Sequence, residues 1–329
     1  VMFMAAVYTA PKDKQTTSMR GIVPQRSEAI YLGMSKTEYS RLENRAVIAV
    51  TGEDAAEFLQ GLVSNDILAV GPNRALYAAL LTPQGKFLFD FFVAEIGDQL
   101  HLDCEAARAD DFIKRLTMFK LRAKVTMAMT EFTVAAAFGA DVHTAFGLGT
   151  EPGASGLFDG GVAYTDPRLA AMGVRVVLAP GSVIELPAAE PGAYDTLRLS
   201  LGLPDGSRDM DIDKSTLLEC GFEELHGVDF DKGCYMGQEL TARTKYRGLV
   251  KRRLFPVKID GPLPEPGAAI DFNGADAGTI KSGAGDQAIA LLRLQVVEDA
   301  RAAGGALTSG ATKITPIRPA WMQATPPES

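Results

Sequence analysis

The amino-acid sequence predicts an α+β protein that ends in a small antiparallel β-domain. Up to Gly248, strand and helix patterns mix without strict alternation, which is typical of α+β proteins. After Gly248, short β-rich runs alternate with Gly/Pro turns over about eighty residues, as in an antiparallel barrel or sandwich. With 329 residues, of which 47% are hydrophobic, the chain can bury enough core for two or three domains.

The N-terminal half combines apolar strand patterns with two amphipathic helices. Thr51 and Asp54 match a capping box that opens a helix with Phe58 on its apolar face. Phe112 and Leu116 lie on the apolar face of the second helix. Strands are predicted at residues 46–50, 75–81, 87–95, 99–103 and 124–129, with a tight turn at 82–85.

The second half begins with a loop-rich segment, residues 180–191, that we expect to link two subdomains. Tyr194 and Leu197 belong to a helical stripe that stops at Gly202 and Pro204, an expected helix end. In the C-terminal domain, strands are predicted at residues 254–259, 277–280 and 288–294.

Composition excludes several classes of protein. The net charge of −8 argues against a protein that coats nucleic acid, although a local basic patch could still act. No apolar stretch is long enough to cross a bilayer. Cys104, Cys220 and Cys234 are odd in number and widely spaced, which favours a reducing compartment over a disulfide framework. The histidines are scattered, and no Cys/His spacing predicts a metal site.

Residues 1–36 are expected to form a flexible extension. The start is apolar but lacks a basic segment before it, which argues against a secretory signal. Up to Arg26, the cations Lys12, Lys14 and Arg20 outweigh the single acid Asp13, a balance that partly matches a mitochondrial transit peptide. A disordered extension, or a start site assigned too early, explains the same composition.

The segment from Asp231 to Arg243 concentrates reactive and ligand-binding side chains. It holds two glycines, a thiol, an amide, two carboxylates and two cations, a mixture that surface loops and core helices seldom need. Gly233 permits unusual backbone angles beside Cys234, and cations such as Lys232 favour a reactive thiolate. A lone cysteine can equally be a small buried hydrophobe. Cys234 is therefore a candidate reactive thiol, with a buried cysteine as the alternative.

Three further features could bind a ligand or move a proton. Gln238 and Glu239 could hydrogen-bond a ligand ring, although they also suit the first turn of a helix. Six cations and no carboxylate lie between Arg243 and Arg253, which favours a phosphate, a carboxylate tail or RNA as ligand, with a solvated linker as the alternative. Asp90 lies in an apolar strand; buried, it would have a raised pKa suited to acid/base work, but it could also face solvent or pair with a base.

These residues resemble a known family. The run from Lys232 to Glu239, followed by Ala242-Arg243 and Lys245 to Gly248, is similar to the signature of the YgfZ family. That family comprises folate-binding proteins related to the glycine-cleavage aminomethyltransferase, and it includes a mitochondrial iron–sulfur assembly factor. Further blocks that resemble the family lie at residues 50–54, 58–61, 64–66, 84–86, 121–125, 166–168 and 198–204.

The resemblance implies a ring-like, aminomethyltransferase-like body at residues 37–245 and a C-terminal antiparallel β-barrel domain at 246–329. It implies tetrahydrofolate in a central channel and a role in making or maintaining iron–sulfur enzymes. Cys234 takes the place of the family's motif cysteine, Tyr194 that of an aromatic residue that contacts the pterin, and Arg45 a second such position. The other implied cofactor-binding residues are Tyr235, Gln238, Glu239, Arg243, Lys245 and Arg247, and the motif residues are Lys232, Gly233 and Gly237.

The chain departs from the true aminomethyltransferases at their acidic positions. Those enzymes carry an acidic pair after Gly-Gly, where this chain has Gly85-Lys86 and then Phe89-Asp90. Residues 166–173 lack the glutamate that holds the pterin in the transferases. The transferases, in turn, lack the motif cysteine. These departures favour a role other than aminomethyl transfer.

We therefore expect a tetrahydrofolate-binding accessory protein for the assembly or repair of iron–sulfur enzymes, with Cys234 and Asp90 as the candidates for catalysis. The alternatives are an active one-carbon transferase that uses Asp90, and a module that binds tRNA or a partner protein through residues 243–253. Expected partners are folate, iron–sulfur client or assembly proteins and, indirectly, tRNA, without a membrane. A monomer is expected, in the bacterial cytoplasm or, if the source is eukaryotic, in the mitochondrial matrix.

Overall fold

A computed structural model describes residues 36–248 and 250–322. The predicted flexible extension lies outside the described residues except for Lys36. Leu249 and residues 323–329, which belong to the predicted β-barrel domain, are also outside them.

The elements of the described chain alternate irregularly between strand and helix. The strands are β1 Glu38–Arg41, β2 Arg45–Thr51, β3 Leu76–Leu81, β4 Phe87–Ile96, β5 Gln99–Glu105, β6 Thr126–Met129, β7 Thr133–Phe138, β8 Ser155–Phe158, β9 Gly161–Thr165, β10 Val174–Leu178, β11 Arg252–Asp260, β12 Ala269–Phe272, β13 Ala275–Ala284, β14 Gln287–Arg293, β15 Leu307–Ser309 and β16 Thr312–Pro316. The helices are α1 Ala55–Gln60, α2 Ala109–Phe119, α3 Val142–Ala145, α4 Ala193–Leu201, α5 Gly206–Asp209, α6 Gln238–Tyr246 and α7 Leu294–Ala302.

The first sheet has the strand order β3-β4-β5-β2-β6 and is antiparallel. Helices α1 and α2 cover one face, where Phe112 stacks on Phe89 with ring centroids 4.7 Å apart. The strand β4 is buried over most of its length, which explains its long apolar run. Along the other face, Phe92 lies opposite Tyr77 on one neighbouring strand and opposite Asp103 on the other.

The second sheet, β1-β7-β10-β9-β8, packs against that other face. Its side chains Tyr164 and Val177 join Phe92 and Tyr77 in one core cluster. Arg175 lies opposite Tyr164 in register on this sheet, so its guanidinium also enters the space between the sheets. The two sheets thus enclose both apolar and charged side chains.

The C-terminal strands close into an antiparallel barrel in the order β11-β14-β13-β12-β15-β16. The predicted fold class is confirmed, and the structure decides for a barrel over a sandwich. A separate apolar cluster fills the barrel interior and includes Phe255, Ile270 and Leu292.

One buried guanidinium ties the barrel to the body. Arg198 on α4 donates hydrogen bonds to Asp209 Oδ2 (2.8 Å) and to Ser282 Oγ on β13 (2.7 Å). Ser282 in turn donates to Asp209 Oδ1 (2.6 Å). Because all three residues are buried, this network holds the barrel in one orientation on the body.

The predicted capping box is wrong, whereas the turn at residues 82–85 is confirmed. Asp54 itself is the N-cap residue of α1, and its side chain makes no capping hydrogen bond to the helix. Its carboxylate instead accepts a hydrogen bond from the backbone N–H of Lys124 (2.7 Å). The reason is tertiary: Gly52 packs so closely on the segment before β6 that a Cβ would lie 2.0 Å from the Lys124 carbonyl oxygen. In the turn, the Gly85 N–H donates to the Thr82 carbonyl (2.9 Å).

Candidate functional site

The Cys-containing loop, residues 231–237, is anchored by Lys232. Its ammonium donates hydrogen bonds to the carbonyl oxygens of Gln60 (2.9 Å), Val63 (2.6 Å) and Asn65 (2.6 Å). These carbonyls lie at and just beyond the end of α1, where helical partners are missing. Burial lowers the pKa of Lys232 to about 8. The motif lysine is thus a structural anchor for the loop.

Of the three cysteines, all within the described residues, Cys234 alone is exposed. Burial raises the pKa of Cys104 to about 12 and that of Cys220 well above its usual value, so these two thiols are inert. Gly233, with φ of +97°, turns the chain just before Cys234, and apart from its chain neighbours no described residue lies within 4 Å of where its Cβ would be. The loop therefore presents one accessible thiol to solvent.

Two glycines allow the end of the Cys-containing loop to pack closely against the turn at residues 82–85. Gly237 has φ of +83°, and a Cβ there would lie 2.6 Å from the Thr82 carbonyl oxygen. A Cβ on Gly85 would lie 3.0 Å from the Gly237 carbonyl oxygen. Tyr235, between the thiol and this contact, is buried. The glycines thus permit a backbone approach that no other residue type allows.

Helix α6 follows directly, and its two faces differ. Gln238 and Glu239 form its first turn, Gln238 half-buried and Glu239 exposed. Lys245 faces the body: its ammonium pairs with Glu223 (2.8 Å) and lies 3.8 Å from the ring centroid of Phe230. Arg243 and Arg247 lie on the solvent side and are exposed.

The six cations between Arg243 and Arg253 therefore divide into two sets. Three are paired with a row of glutamates, in the pairs Lys245–Glu223 (2.8 Å), Arg252–Glu219 (3.1 Å) and Arg253–Glu224 (2.7 Å). Arg243, Arg247 and Lys251 are exposed and have no ion-pair partner among residues 36–248 and 250–322. The paired set is structural, and the exposed set is available to a ligand.

A cavity of about 590 Å³ adjoins the Cys-containing loop. Its volume lies within the usual range of small-molecule sites. Strand β3 of the first sheet, the loops before β8 and after β9, the chain before the Cys-containing loop and helix α6 contribute to it. The lining residues are Asn65, Arg74, Ala75, Leu76, Glu151, Pro152, Pro167, Glu223, His226, Val228, Asp229, Phe230, Asp231 and Lys245.

A buried charged network lies between the two sheets. Asp103 accepts a hydrogen bond from Arg45 Nε (2.7 Å) and a short one from Arg175. Both guanidiniums lie over the ring of Phe92, with Arg175 4.0 Å from its centroid. Burial alone would raise the pKa of Asp103, but Arg175 and Arg45 hold it below its usual value. Asp103 is therefore ionised and fully engaged in the fold.

Asp90 is buried in the same network and does not face solvent. Tyr77 donates its hydroxyl hydrogen to Asp90 Oδ2 (2.9 Å). Burial raises the pKa of Asp90, and the nearby Arg45 and the Tyr77 hydrogen bond offset this only in part. The burial that the expectation required is observed, and the acid/base role of Asp90 stays a prediction.

Tyr194 joins the network from α4. Its hydroxyl oxygen accepts hydrogen bonds from Arg175 (3.0 Å) and Arg168 (3.4 Å). Arg168 is itself held by the carboxylate of Asp166 (2.8 Å). With two donors aimed at its oxygen, the phenol of Tyr194 keeps its own hydrogen for a further acceptor.

The structure thus brings the candidate residues together in two groups. Arg45, Asp90 and Tyr194 share the buried network, whereas Lys232 to Arg247 form the loop and helix at the surface. Sequence reasoning missed Asp103 and Arg175 as members of the network. The signal that singled out Asp90, a charged residue inside an apolar strand, applies equally to both of them.

The described part of the chain has neither a cluster of metal-binding side chains nor a membrane-spanning helix. Its residues include no group of three or more His, Cys, Asp or Glu side chains placed to hold a metal ion. None of its helices has the length and apolar character needed to cross a membrane.

Comparison with known proteins relates both parts of the chain to described families. Residues 8–141 match the family model of the GCVT N-terminal domain, and residues 251–324 match that of the CAF17 C-terminal beta-barrel domain. The crystal structure of glycine cleavage system aminomethyltransferase T from Bartonella henselae superposes with a TM-score of 0.67 at 16% identity, covering 88% of this chain and 87% of the other. At that identity, the likeness establishes the fold alone.

Three curated relatives carry the name iron–sulfur cluster assembly factor IBA57. The mouse mitochondrial protein is 34% identical over 282 residues, covering 78% of each chain. The human protein is 34% identical over 281 residues, covering 77% of this chain and 76% of its own. The mitochondrial homolog of Aspergillus clavatus is 30% identical over 373 residues, covering 94% of this chain and 81% of its own. With a GcvT-like N-terminal part, a CAF17-type barrel and this level of identity, the chain belongs to the IBA57 family of iron–sulfur cluster assembly factors.

Proposed function

We propose that this protein is a tetrahydrofolate-binding accessory factor, of the YgfZ type, for the assembly or repair of iron–sulfur enzymes, with Cys234 as its functional thiol. The observation that carries the proposal is the placement of Cys234. It is an exposed thiol on a loop held by Lys232 and Gly237, next to a cavity of ligand size. A rigid support of this kind suits a thiol that must meet a second molecule in a defined geometry.

The residues present fit a folate in three respects. The cavity has the volume of a small-molecule site, and Lys245 on its wall could exchange its partner Glu223, which lines the same cavity, for an anionic tail. Tyr194 keeps a hydroxyl hydrogen for a ring acceptor. Between the sheets, rather than on the cavity wall, Tyr164 has a buried hydroxyl without a hydrogen-bond partner among the described residues. A ligand that extends from the cavity into that space would satisfy it.

Arg45 fits a pterin contact less well. Its Nε and one terminal nitrogen already donate to the carboxylate and carbonyl oxygens of Asp103, both at 2.7 Å. In this proposal, Arg45 therefore orients the network beneath the ligand, while Asn65 and Lys245 line the ligand's own space.

The chemistry open to Cys234 is limited because the other two cysteines of the chain are buried. Protein iron–sulfur clusters usually have about four protein ligands, mostly thiolates. The other two cysteines of the chain are buried, so Cys234 could supply one ligand or one nucleophile and a second protein would supply the rest. The proposal thus assigns the thiol to a step shared with a client or assembly partner, and it makes any effect on tRNA modification indirect.

Replacement of Cys234 by serine tests the central role. We expect tetrahydrofolate binding, followed by titration, to match wild type, while the activity of a client iron–sulfur enzyme in cells that lack the native protein is not restored. Restoration to the wild-type level would remove Cys234 from the function. Loss of folate binding in the variant would place the thiol in the folate site instead.

Replacement of Lys245 tests whether its ammonium binds the glutamate tail of the folate. Because its ammonium is on the cavity wall, we expect Lys245→Ala to weaken polyglutamylated tetrahydrofolate more than the monoglutamate. Lys251→Ala, which removes an exposed cation outside the cavity lining, is the matched control. Equal losses for the two folates would exclude Lys245 as the tail-binding residue.

A second candidate function is one-carbon transfer with Asp90 as the acid/base group, favoured by its burial and raised pKa. An assay with an aminomethyl donor and tetrahydrofolate tests it directly. Turnover that disappears in Asp90→Asn would support this function, and the absence of turnover in the wild type would exclude it.

The cellular setting is also part of the proposal. The relatives are named as mitochondrial proteins, and the free thiol suits a reducing compartment. We place the protein in the mitochondrial matrix if its source is eukaryotic and in the cytoplasm if it is bacterial, acting as a monomer. Mass measurement in solution tests the last point, and a stable dimer would contradict it.

A further inference from the structure

Helix α6 presents an unpartnered face to solvent. This α6 face consists of Leu240, Arg243 and Tyr246 on one side of the helix and of Arg247, the cap residue that follows its end, with spacings of three and four residues. Leu240 is 40% exposed and Tyr246 75% exposed. The opposite side, through Thr241, packs on the body.

The α6 face is positively charged as well as apolar. Arg243 and Arg247 lie one helical turn apart, and neither has an ion-pair partner among the described residues. Three other cations of the same run are each paired with a glutamate. The fold thus neutralises the cations that face the body and leaves these two, together with Lys251 beyond the helix, without an ion-pair partner among the described residues.

We infer that the α6 face docks an acidic patch, with an apolar centre, on the partner protein that meets Cys234. This rests on the proposed function of the thiol. Protein interfaces are enriched in tyrosine and arginine, and their most important contacts often come from these residue types. Both types stand on this face beside an exposed leucine.

The thiol and the face belong to one rigid unit. Cys234 precedes α6 by four residues, and the contact between Gly237 and Gly85 fixes the start of the helix on the body. A partner bound on α6 is therefore positioned relative to Cys234 without a hinge between them. Docking and chemistry would use the same partner molecule.

Nucleic acid fits this face less well. Proteins that bind nucleic acid strongly often neutralise about six to ten phosphates. Here two arginines are free on α6, the exposed carboxylate of Glu239 stands one turn before Arg243, and the whole chain has a net charge of −8. An exposed leucine gains nothing from a phosphate backbone. An acidic protein surface satisfies both the charge and the apolar character.

Charge reversal tests the inference. The probes are a helical peptide with two glutamates one turn apart around leucine and phenylalanine, and the same peptide with lysines instead. We expect Arg243→Glu/Arg247→Glu to bind the acidic peptide at least tenfold more weakly than wild type, about 1.4 kcal/mol, and to gain affinity for the lysine peptide. Lys114→Glu/Arg115→Glu, on the exposed side of α2, is the matched control and should bind as wild type.

The effect should also depend on salt and on the apolar residues. The difference between wild type and the double variant should shrink at high ionic strength, since exposed charges are screened. Tyr246→Ala, which keeps both arginines, should weaken binding of the acidic peptide without this salt dependence.

Equal binding of the acidic peptide by wild type and by the charge-reversal variant would overturn the inference. A tRNA transcript that binds more tightly than the peptide, and is lost in the same variant, would assign the face to nucleic acid instead.

Client-enzyme activity in cells separates this inference from the proposed function. Because neither arginine lines the cavity, we expect Arg243→Glu/Arg247→Glu to reduce activity with folate binding intact. Loss of folate binding in this variant would instead return both arginines to the folate-binding role that the family resemblance implies, and would overturn the inference. If Cys234→Ser fails while the charge-reversal variant restores full activity, the thiol's role stands and the docking face is wrong. If Cys234→Ser restores full activity, the proposed function fails whatever the docking result.

Discussion

Arginines occur in two regions of this molecule with opposite consequences. Between the sheets, Arg45 and Arg175 share Asp103 and stack on Phe92, fully removed from water. On α6, Arg243 stands in solvent without an ion-pair partner among the described residues. An unpaired charge in the protein interior strongly destabilises the fold, whereas an exposed charge is hydrated and stays available to a ligand. The comparison shows that position, rather than residue type, separates a structural cation from a ligand-binding one.

The largest effect is expected from Asp103→Asn. It leaves Arg45 and Arg175 buried with no carboxylate between them, which should cost about 3–5 kcal/mol of unfolding free energy. Urea unfolding measures it. The control Asp111→Asn breaks a pair with Lys114 that is exposed on both sides and should cost less than about 1 kcal/mol. A loss for Asp103→Asn no larger than the control would contradict the structural role of the buried network.

Gly237→Ala should have the next largest effect. It places a side chain at φ of +83° and a Cβ 2.6 Å from the Thr82 carbonyl oxygen, so we expect a loss of about 1–3 kcal/mol and faster proteolysis within α6. Gly233→Ala has a similarly positive φ but open space around the Cβ, so it should lose less. If the two variants were equally destabilised, close packing against the turn at residues 82–85 would not be what holds the helix.

Asp90→Asn should change stability by less than about 1 kcal/mol at neutral pH, since the amide oxygen can still accept from Tyr77. The pH dependence is more informative. Burial raises the pKa of Asp90, so the protonated carboxyl favours the folded state. Its contribution is present below the ordinary value of 3.8 and is lost as pH rises through the raised pKa. Unfolding measured from pH 4 upward should show the stability of the wild type falling relative to the variant; parallel curves would exclude a raised pKa.

Arg243→Gln should have the smallest effect on stability, within about 0.5 kcal/mol, because the side chain is exposed and has no ion-pair partner in the described part of the chain. Thermal unfolding of wild type and variant checks this. A loss of several degrees in Tm would mean that Arg243 supports the fold, and the contrast with Arg175 would then disappear.

Much of the fold was predictable because its signals are local. The apolar runs of β3 and β4 and the stripe of Phe112 and Leu116 were recognised from periodicity, and the structure confirms them. The capping box failed because Asp54 binds the backbone of Lys124, a partner seventy positions away. No pattern within a few residues of α1 carries that information.

The candidate site likewise has features that local sequence predicted and features that depend on long-range contacts. The composition of residues 231–243 identified the segment, and the resemblance of its motif pointed to the correct broad family. The sequence did not predict that Lys232 anchors the loop through backbone carbonyls more than 160 positions away. It also did not show which of two opposite environments, core or solvent, would surround Cys234.

The sequence by itself determined the elements, the change to a β-rich domain after Gly248, and the presence of a thiol beside a run of cations. Only the tertiary structure decided which cations are free. Lys245 pairs with Glu223 and Arg45 with Asp103 across 22 and 58 positions, while Arg243 projects into solvent. The physical reason is that secondary structure follows from interactions within a few residues, whereas pairing and burial depend on which distant segments the fold brings together.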